Sequence, residues 1–205
     1  MKIVKASAEI ISHTPDLEQI IELAGRKCYK SEDKITDGSA AKFIQRLAET
    51  KHESVLEHGS ITVYFVVDRG VSHELVRHRI ASYSQESTRY CNYSKGKFGS
   101  EITVIDPRPA FPDMGEAAFS IWECACRFAQ DQYFDLLADG ASPQLARSVL
   151  PNSLKTEIVM TANPREWLHV FKQRCAKEAH PQMREVMIPL HQEFASRWPA
   201  LFKDA

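Results

Sequence analysis

The chain has 205 residues, of which 43% are hydrophobic and 26% are charged, and its formal net charge is −1. This balance predicts one globular domain over residues 1–205 and excludes a protein that binds nucleic acid through its overall charge. We expect no signal peptide and no membrane span, and five cysteines without a framework spacing predict reduced thiols in a cytoplasm.

Hydrophobic spacing and capping residues predict elements of both kinds along the chain. In chain order these are a strand over 1–7, a helix over 14–31 capped by Thr14, a helix over 38–54, a strand over 61–69, a helix over 72–81, an irregular loop over 82–99, a strand over 101–107, a long helix over 115–139, a short helix over 139–151, a strand over 156–163, a helix over 164–179 capped by Asn163, and a last helix over 182–202 that is kinked or split at Pro189. This order indicates an α/β or α+β fold with a sheet of four or five strands covered by helices.

Positive charge is concentrated directly after the strand over 61–69. In RHRIASYSQESTRY, residues 77–90, two arginines flank a histidine, and four hydroxyl side chains and a third arginine follow. Guanidinium groups match phosphate oxygens, so the segment is either a ligand site or a solvated basic turn. Apolar residues on both sides, Val76 and Ile80, favour the ligand site by drawing the arginines inward.

Other common motifs are missing from the sequence. No Gly-x-Gly-x-x-Gly follows a strand, and no Gly-x-x-x-x-Gly-Lys-Ser/Thr is present. In KHESVLEHGS a zinc-peptidase motif fails because position 56 is Leu. Cys124 and Cys126 are one residue apart in a helical pattern, so their thiols diverge. We therefore predict no metal site.

Four blocks in order, spanning residues 52–186, resemble those of the flavin-dependent thymidylate synthases. The signature is Arg-His-Arg, seven residues and Ser, which here is Arg77-His78-Arg79 and Ser87. Upstream, KHESVLEHGSITVYF is similar to the family's His-x-Ser-x-x-Glu-His block. Downstream, ARSVLP and NPREWLHVFKQRCAKEAHPQMREV are similar to its Arg-x-x-Leu-Pro and Asn-x-Arg-x-x-x-x-Phe blocks, with five residues instead of four between Arg165 and Phe171 in this chain.

The resemblance implies a central, mostly antiparallel sheet and a flavin-dependent thymidylate synthase fold. It also implies methylation of dUMP to dTMP with bound FAD, methylenetetrahydrofolate as carbon donor and NADPH as reductant. The family's homotetramer draws each active site from several chains. No partner beyond these is expected, neither nucleic acid nor membrane.

The resemblance also assigns residues to the two ligands. Those implied to hold dUMP are Glu74, Arg77, Gln85, Ser87, Thr88, Arg89, Arg147 and Arg174. Those implied to line FAD are His52, Ser54, Glu57, Arg77, His78, Arg79, Ile80, Asn163, Arg165 and His169. Some relatives differ at Glu74, Ser84, Gln85 and His169.

The same resemblance implies catalysis without an enzyme cysteine nucleophile. Arg174 is the catalytic residue and polarises a uracil carbonyl, while the cofactor carries the redox chemistry. Ser87 has no general base beside it in sequence, so nucleotide binding is preferred to a nucleophilic role. Cys28 is either a flavin neighbour or a buried small residue, with the second preferred. The alternatives are a flavoprotein reductase of another substrate and a non-catalytic nucleotide- or RNA-binding module.

Overall fold

The computed structural model describes residues 1–50, 52–91, 93, 99 and 101–203. Its strands are β1 (Lys2–Val4), β2 (Ser7–His13), β3 (Ile61–Asp68), β4 (Ala81–Gln85), β5 (Thr103–Ile105) and β6 (Lys155–Ala162). Its helices are α1 (Leu17–Cys28), α2 (Ser39–Glu49), α3 (Arg69–Leu75), α4 (Glu116–Ala138), α5 (Pro143–Ala146), α6 (Pro164–Arg174), α7 (Pro181–Arg197) and α8 (Pro199–Phe202). Short 3-10 helices lie at Glu32–Lys34, Glu53–Glu57 and Arg147–Val149.

Strands β2, β3, β6 and β4 form, in that order, a four-stranded antiparallel sheet. The two central strands alternate strictly along their length, with every second residue of β3 from Ile61 to Val67 and of β6 from Thr156 to Ala162 buried. The positions of β3 and β6 confirm the strands that β-branched and aromatic residues predict there, and the antiparallel pairing confirms the mixed, mostly antiparallel fold class. A separate parallel pair joins β1 to β5, with Ile3 opposite Val104.

The two edge strands, β2 and β4, are not predicted by the sequence. In β2 only Ile10 is buried, and β4 (ASYSQ) has no buried residue. An edge strand packs fewer side chains into a core, so its apolar alternation is weak and its hydroxyl groups are typical of a loop. The predicted loop over 82–99 is therefore wrong at its start, where β4 lies, and much of its remainder falls outside the described residues.

Two predictions about helix ends are wrong. Thr14 does not cap α1, because its hydroxyl accepts a hydrogen bond from the Ser60 backbone at 2.9 Å, and the helix begins after Asp16. The last long helix is not split at Pro189, since α7 continues through this residue to Arg197 before α8 begins, whereas the alternative of a kink at Pro189 stays a prediction. The Asn163 cap is confirmed, with its side chain accepting from the Glu166 amide at 2.8 Å.

The chain divides into two compact units. The first contains Met1–Ser7, Phe65–Arg77 and Ser84–Ile158, and its core lies along α4 around Tyr133. The second contains Ala8–Tyr64, His78–Tyr83 and Val159–Ala205. A cluster of aromatic rings forms the core of the second unit: Trp167, Phe171, Phe194, Trp198 and Phe202. That residues 1–205 act as one catalytic domain stays a prediction. None of the helices within the described residues is both long and apolar enough to cross a membrane.

Candidate functional site

The Arg-His-Arg triplet lies just beyond helix α3, and the predicted helix over 72–81 is displaced towards the N-terminus. Asp68 caps α3 by accepting from the Val71 amide at 2.7 Å, and the helix ends at Leu75. The triplet is therefore not helical. Of its three side chains only that of His78 is buried, with 4% of its surface exposed.

The two arginines of the triplet, Arg77 and Arg79, are exposed. Their apolar neighbours Val76 and Ile80 are exposed as well, by 40% and 69%. The expectation that these neighbours draw the arginines into the interior is therefore wrong for this chain by itself. The guanidinium groups remain accessible, as an anion-binding group must be.

Within the first unit, three hydrogen bonds involve residues that are predicted to hold the nucleotide. Arg147 donates from Nη1 to Thr88 Oγ1 at 3.1 Å, although 59 residues separate them. Gln85 donates from Nε2 to Ser72 Oγ at 2.9 Å and to Thr156 Oγ1 at 3.2 Å. Thr88 is buried, whereas Arg147 and Gln85 are exposed. The buried Thr88 hydroxyl therefore holds the Arg147 guanidinium at the protein surface.

Two further predicted nucleotide residues of this unit, Ser87 and Arg89, lie at a turn. Ser87 Oγ accepts from the Arg89 amide at 3.4 Å, and the Ser87 carbonyl accepts from the Cys91 amide at 2.9 Å. Arg89 is exposed, with its guanidinium carbon 5.4 Å from the centre of the Tyr90 ring. Glu74 is half-buried at the end of α3. Ser87 thus serves a turn in the backbone, and this contact is not one that activates a nucleophile.

Within the second unit, two of the predicted flavin blocks meet. Arg165, at the start of α6, donates from Nη1 to Glu57 Oε1 at 2.6 Å, and its Nε lies 3.3 Å from Glu53 Oε2. All three side chains are about half exposed, so the pairs add little stability but place the guanidinium. His52 and Ser54 lie at the same 3-10 helix and are exposed.

A cavity of about 950 Å³ lies between α1, α2 and the segments that join them. His52, Ser54 and Cys28 belong to its lining, so the preferred interpretation of Cys28 as a buried small residue is wrong: its thiol is exposed. Four cations also line the cavity, and sequence reasoning missed them: Arg26, Lys34, Lys42 and Arg46. The spacing of Lys42 and Arg46, one helical turn apart in α2, is a signal that could have identified one face.

The two helices that bound this cavity approach each other closely at Gly25. A Cβ atom placed there would lie 2.6 Å from two ring carbons of Phe43, closer than real side chains come. Arg26 in turn lies over the Phe43 ring, with its guanidinium carbon 4.6 Å from the ring centre. The glycine therefore allows α2 and its cations to reach this position.

A group of polar side chains in the second unit surrounds the buried ring of His78. Arg174, the last residue of α6, donates from Nε to His78 Nε2 at 2.9 Å. On the other side of the ring, Nδ1 lies 3.5 Å from Glu166 Oε1. His169, which is exposed, packs edge-on against the His78 ring with centres 5.8 Å apart. Tyr83 donates its hydroxyl to the His78 carbonyl at 2.8 Å.

The electrostatics of this group keep the imidazole neutral. Burial and, to a smaller extent, the positive charges of Arg174 and His169 together lower the pKa of His78 from 6.5 to about 4. Burial also raises the pKa of Glu166, which His169 partly opposes. Burial and the Glu166 charge raise the pKa of Tyr83 to about 12. Only a neutral ring has a lone pair on Nε2 with which to accept from Arg174.

Three of these side chains also come close enough to share a metal ion. The ligand atoms of His78, Glu166 and His169 lie within 4.8 Å of one another. However, the Arg174 guanidinium is bonded to the same imidazole, so a cation there would face a fixed positive charge. The absence of a metal from this site stays a prediction.

The group around His78 is suited to holding a guanidinium in one orientation. The bond from Arg174 to the imidazole uses Nε, which fixes the plane of the guanidinium relative to the ring. A guanidinium held in this way can donate two parallel hydrogen bonds to a carbonyl or an anion. Sequence reasoning identified His78, His169 and Arg174 but missed Glu166, whose position three residues before His169 on α6 is the available signal.

Comparison with known proteins identifies the family to which this chain belongs. Residues 9–200 match the family model described as thymidylate synthase complementing protein. A flavin-dependent thymidylate synthase of Geobacter sulfurreducens is 34% identical over 203 residues, covering 96% of this chain and 85% of that protein. One of Mycobacterium tuberculosis is 34% identical over 197 residues, covering 90% of this chain and 78% of the relative.

A solved structure shares the fold. It is a UMP/dUMP methylase, PolB, from Streptomyces cacaoi, bound with 5-Br dUMP. The TM-score is 0.79 and the alignment covers 99% of this chain and 96% of the methylase. At 24% sequence identity, the likeness is one of fold.

Proposed function

The chain belongs to the family of flavin-dependent thymidylate synthases, and we propose that it converts dUMP to dTMP with bound FAD, methylenetetrahydrofolate as carbon donor and NADPH as reductant. The observation that carries the proposal is the hydrogen bond from Arg174 Nε to Nε2 of a buried, neutral His78, which holds the guanidinium in place. This is an electrophilic group fixed before substrate arrives, and a reaction without a covalent enzyme nucleophile depends on such preorganisation.

The residues present fit a flavin dinucleotide. The cavity of about 950 Å³ is at the upper end of the size range of small-molecule sites. Arg26 is paired with Glu22, and the other cations of the lining, Lys34, Lys42 and Arg46, suit a pyrophosphate. His52 and Ser54, both implied by the family resemblance, belong to its lining. When bound, FAD supplies hydride transfer, and the chain supplies binding and orientation.

We assign flavin binding to the residues that the resemblance implies. Glu57 and Arg165 are already joined by an ion pair, and Asn163 caps the helix that carries Arg165. The full proposed set is His52, Ser54, Glu57, Arg77, His78, Arg79, Ile80, Asn163, Arg165 and His169.

Nucleotide binding is assigned to exposed cations and the neutral donors beside them. The buried hydroxyl of Thr88 holds Arg147 in place through their hydrogen bond, so this guanidinium suits the 5′-phosphate. Gln85 is held by Ser72 and Thr156 in the same unit. The full proposed set is Glu74, Arg77, Gln85, Ser87, Thr88, Arg89, Arg147 and Arg174.

We propose that Arg174 polarises a uracil carbonyl and stabilises the negative charge that develops on the ring as its C5 carbon attacks the methylene group. The cysteines support this role indirectly. Burial raises the pKa of Cys126 and Cys175, which is opposite to the shift that activates a thiol. Ser87 binds the nucleotide and is not the nucleophile.

The remaining proposals concern the cellular location and the assembly of the protein. Five free cysteines agree with a reducing cytoplasm. By family resemblance, the chain acts as one catalytic domain within a homotetramer, in which each active site includes residues of several chains.

Tritium release from dUMP labelled at C5 tests the reaction directly, with FAD, methylenetetrahydrofolate and NADPH added. We expect release and dTMP formation by the wild type, and loss of both in Arg174→Ala, which stays folded and keeps some flavin. Arg197→Ala is the matched control, because Arg197 lies at the end of α7 in an ion pair with Glu193. Near wild-type turnover in Arg174→Ala refutes the role of that residue.

The wild-type experiment also separates the alternatives. A yellow protein that oxidises NADPH without releasing tritium is a reductase of another substrate. A colourless protein that binds oligonucleotides with strong salt dependence, and is inactive after FAD is added, is a nucleic-acid-binding module. Either result overturns the proposed function.

A further inference from the structure

Glu166 is a buried carboxylate to which neither the family blocks nor the cofactor assign a role. It is 7% exposed, and carboxylates are rarely buried to this extent unless they have a partner. Its carboxylate oxygen lies 3.5 Å from His78 Nδ1. The inference that follows rests on the proposed function, because it concerns how the chain orients Arg174.

The side chain of Glu166 is not needed to build the helix that carries it. The capping bond of α6 uses the Glu166 backbone amide and the Asn163 side chain. A substitution at position 166 therefore leaves the cap in place. The side chain points instead to the imidazole of a segment 88 positions earlier in the chain.

The two contacts of the His78 ring are consistent with only one tautomer. Arg174 Nε carries a hydrogen and donates it to Nε2, so Nε2 has no proton. A neutral ring then carries its proton on Nδ1, the nitrogen that faces Glu166. If the proton moved to Nε2, two N–H groups would point at each other and the bond to Arg174 would be lost.

Charged groups from both packed elements act on this ring. Helix α6 contributes Glu166, His169 and Arg174, and strand β4 contributes Tyr83, whose hydroxyl is bound to the His78 carbonyl. Of these, Glu166 is the one whose carboxyl oxygen faces Nδ1 and can accept its proton in a hydrogen bond. It is therefore the group that favours a proton on the nitrogen facing it.

We propose that Glu166 is a positioning residue that acts through His78: it holds the imidazole proton on Nδ1, keeps the Nε2 lone pair available to Arg174 Nε, and so fixes the guanidinium that polarises the substrate. The arrangement is a relay of carboxylate, imidazole and guanidinium in which only Arg174 touches the nucleotide. The two outer members orient it and do not react.

Two substitutions of similar size separate positioning from packing. Glu166→Gln keeps an oxygen that accepts from Nδ1–H, whereas Glu166→Leu fills the space without an acceptor. We expect kcat within about threefold of wild type for Gln, and a fall of about tenfold or more for Leu, with little change in the KM for dUMP, because a misaligned group loses rate before it loses affinity. Glu193→Ala, on α7, is the control and keeps wild-type kcat.

The second readout is the tautomer itself. Nitrogen-15 NMR of histidine-labelled, flavin-loaded protein distinguishes a protonated ring nitrogen from an unprotonated one. We expect the wild type and Glu166→Gln to carry the His78 proton on Nδ1, and Glu166→Leu to show a shift of the proton towards Nε2. The wild-type spectrum tests the tautomer even if Glu166→Leu does not fold.

The outcomes separate this inference from the proposed function. If the wild type forms dTMP but carries its His78 proton on Nε2, or if Glu166→Leu keeps wild-type kcat and tautomer, the relay is wrong and the function stands. If the wild type forms no dTMP, the function fails, whereas the NMR result still decides whether Glu166 sets the tautomer of His78.

Discussion

The buried imidazole of His78 should make the protein sensitive to mild acid in a defined window. Its pKa is lowered from 6.5 to about 4, chiefly by burial, so the folded protein binds a proton there less readily than the unfolded chain. The stabilisation from a neutral His78 is complete above pH 6.5. It is lost as the pH falls from 6.5 to about 4, because over that range the unfolded chain takes up a proton that the folded one does not.

The size of the effect follows from the same values. At about 1.4 kcal/mol per pH unit, the difference between 6.5 and about 4 corresponds to about 3 kcal/mol of unfolding free energy. Only 4% of the side chain is exposed, so solvent screening does not reduce this figure much. Glu166 acts in the opposite sense, since its raised pKa favours the folded state on acidification.

Urea denaturation at a series of pH values, for the wild type and His78→Gln, isolates the imidazole. Glu166 and all other carboxylates are present in both proteins, so their contributions largely cancel in the difference. We expect the stability of the wild type relative to His78→Gln to fall by about 3 kcal/mol between pH 7 and pH 4. A difference that stays constant over this range would show that His78 titrates normally in the fold.

Three further predictions concern other parts of the chain. Trp167→Phe should lower the unfolding free energy by about 2–3 kcal/mol in urea denaturation, because the buried indole N–H donates to the Ile61 carbonyl at 3.1 Å; an unchanged midpoint contradicts this. Thr88→Val should raise the KM for dUMP about tenfold with kcat nearly unchanged, since it releases Arg147 from its hydroxyl partner; a fall in kcat alone would assign the pair to the chemical step. Replacing Cys28, Cys91 or Cys175 singly by serine should keep dTMP formation. Loss of catalysis in any one of these variants, with flavin still bound, would restore a thiol mechanism.

The local sequence was sufficient to predict an element wherever its side chains pack regularly against the core. Strands β3 and β6 are rich in β-branched and other apolar residues, as central strands require, and Asn163-Pro164 marks the start of α6 as capping chemistry requires. The four sequence blocks were sufficient to identify the family. Edge strands escaped detection because a strand that buries one residue or none has no period to detect.

The sequence by itself determined the class of fold, the family and the residue types that bind anions, because each depends on local spacing or on contiguous blocks. Only the tertiary structure decided which side chains meet. Arg174 and His78 are 96 residues apart, and the partner that completes their contact, Glu166, is at a position to which the block assigns no residue type. The path of the chain brings these groups together, and burial in that place sets their protonation, so neither could be obtained from spacing along the sequence.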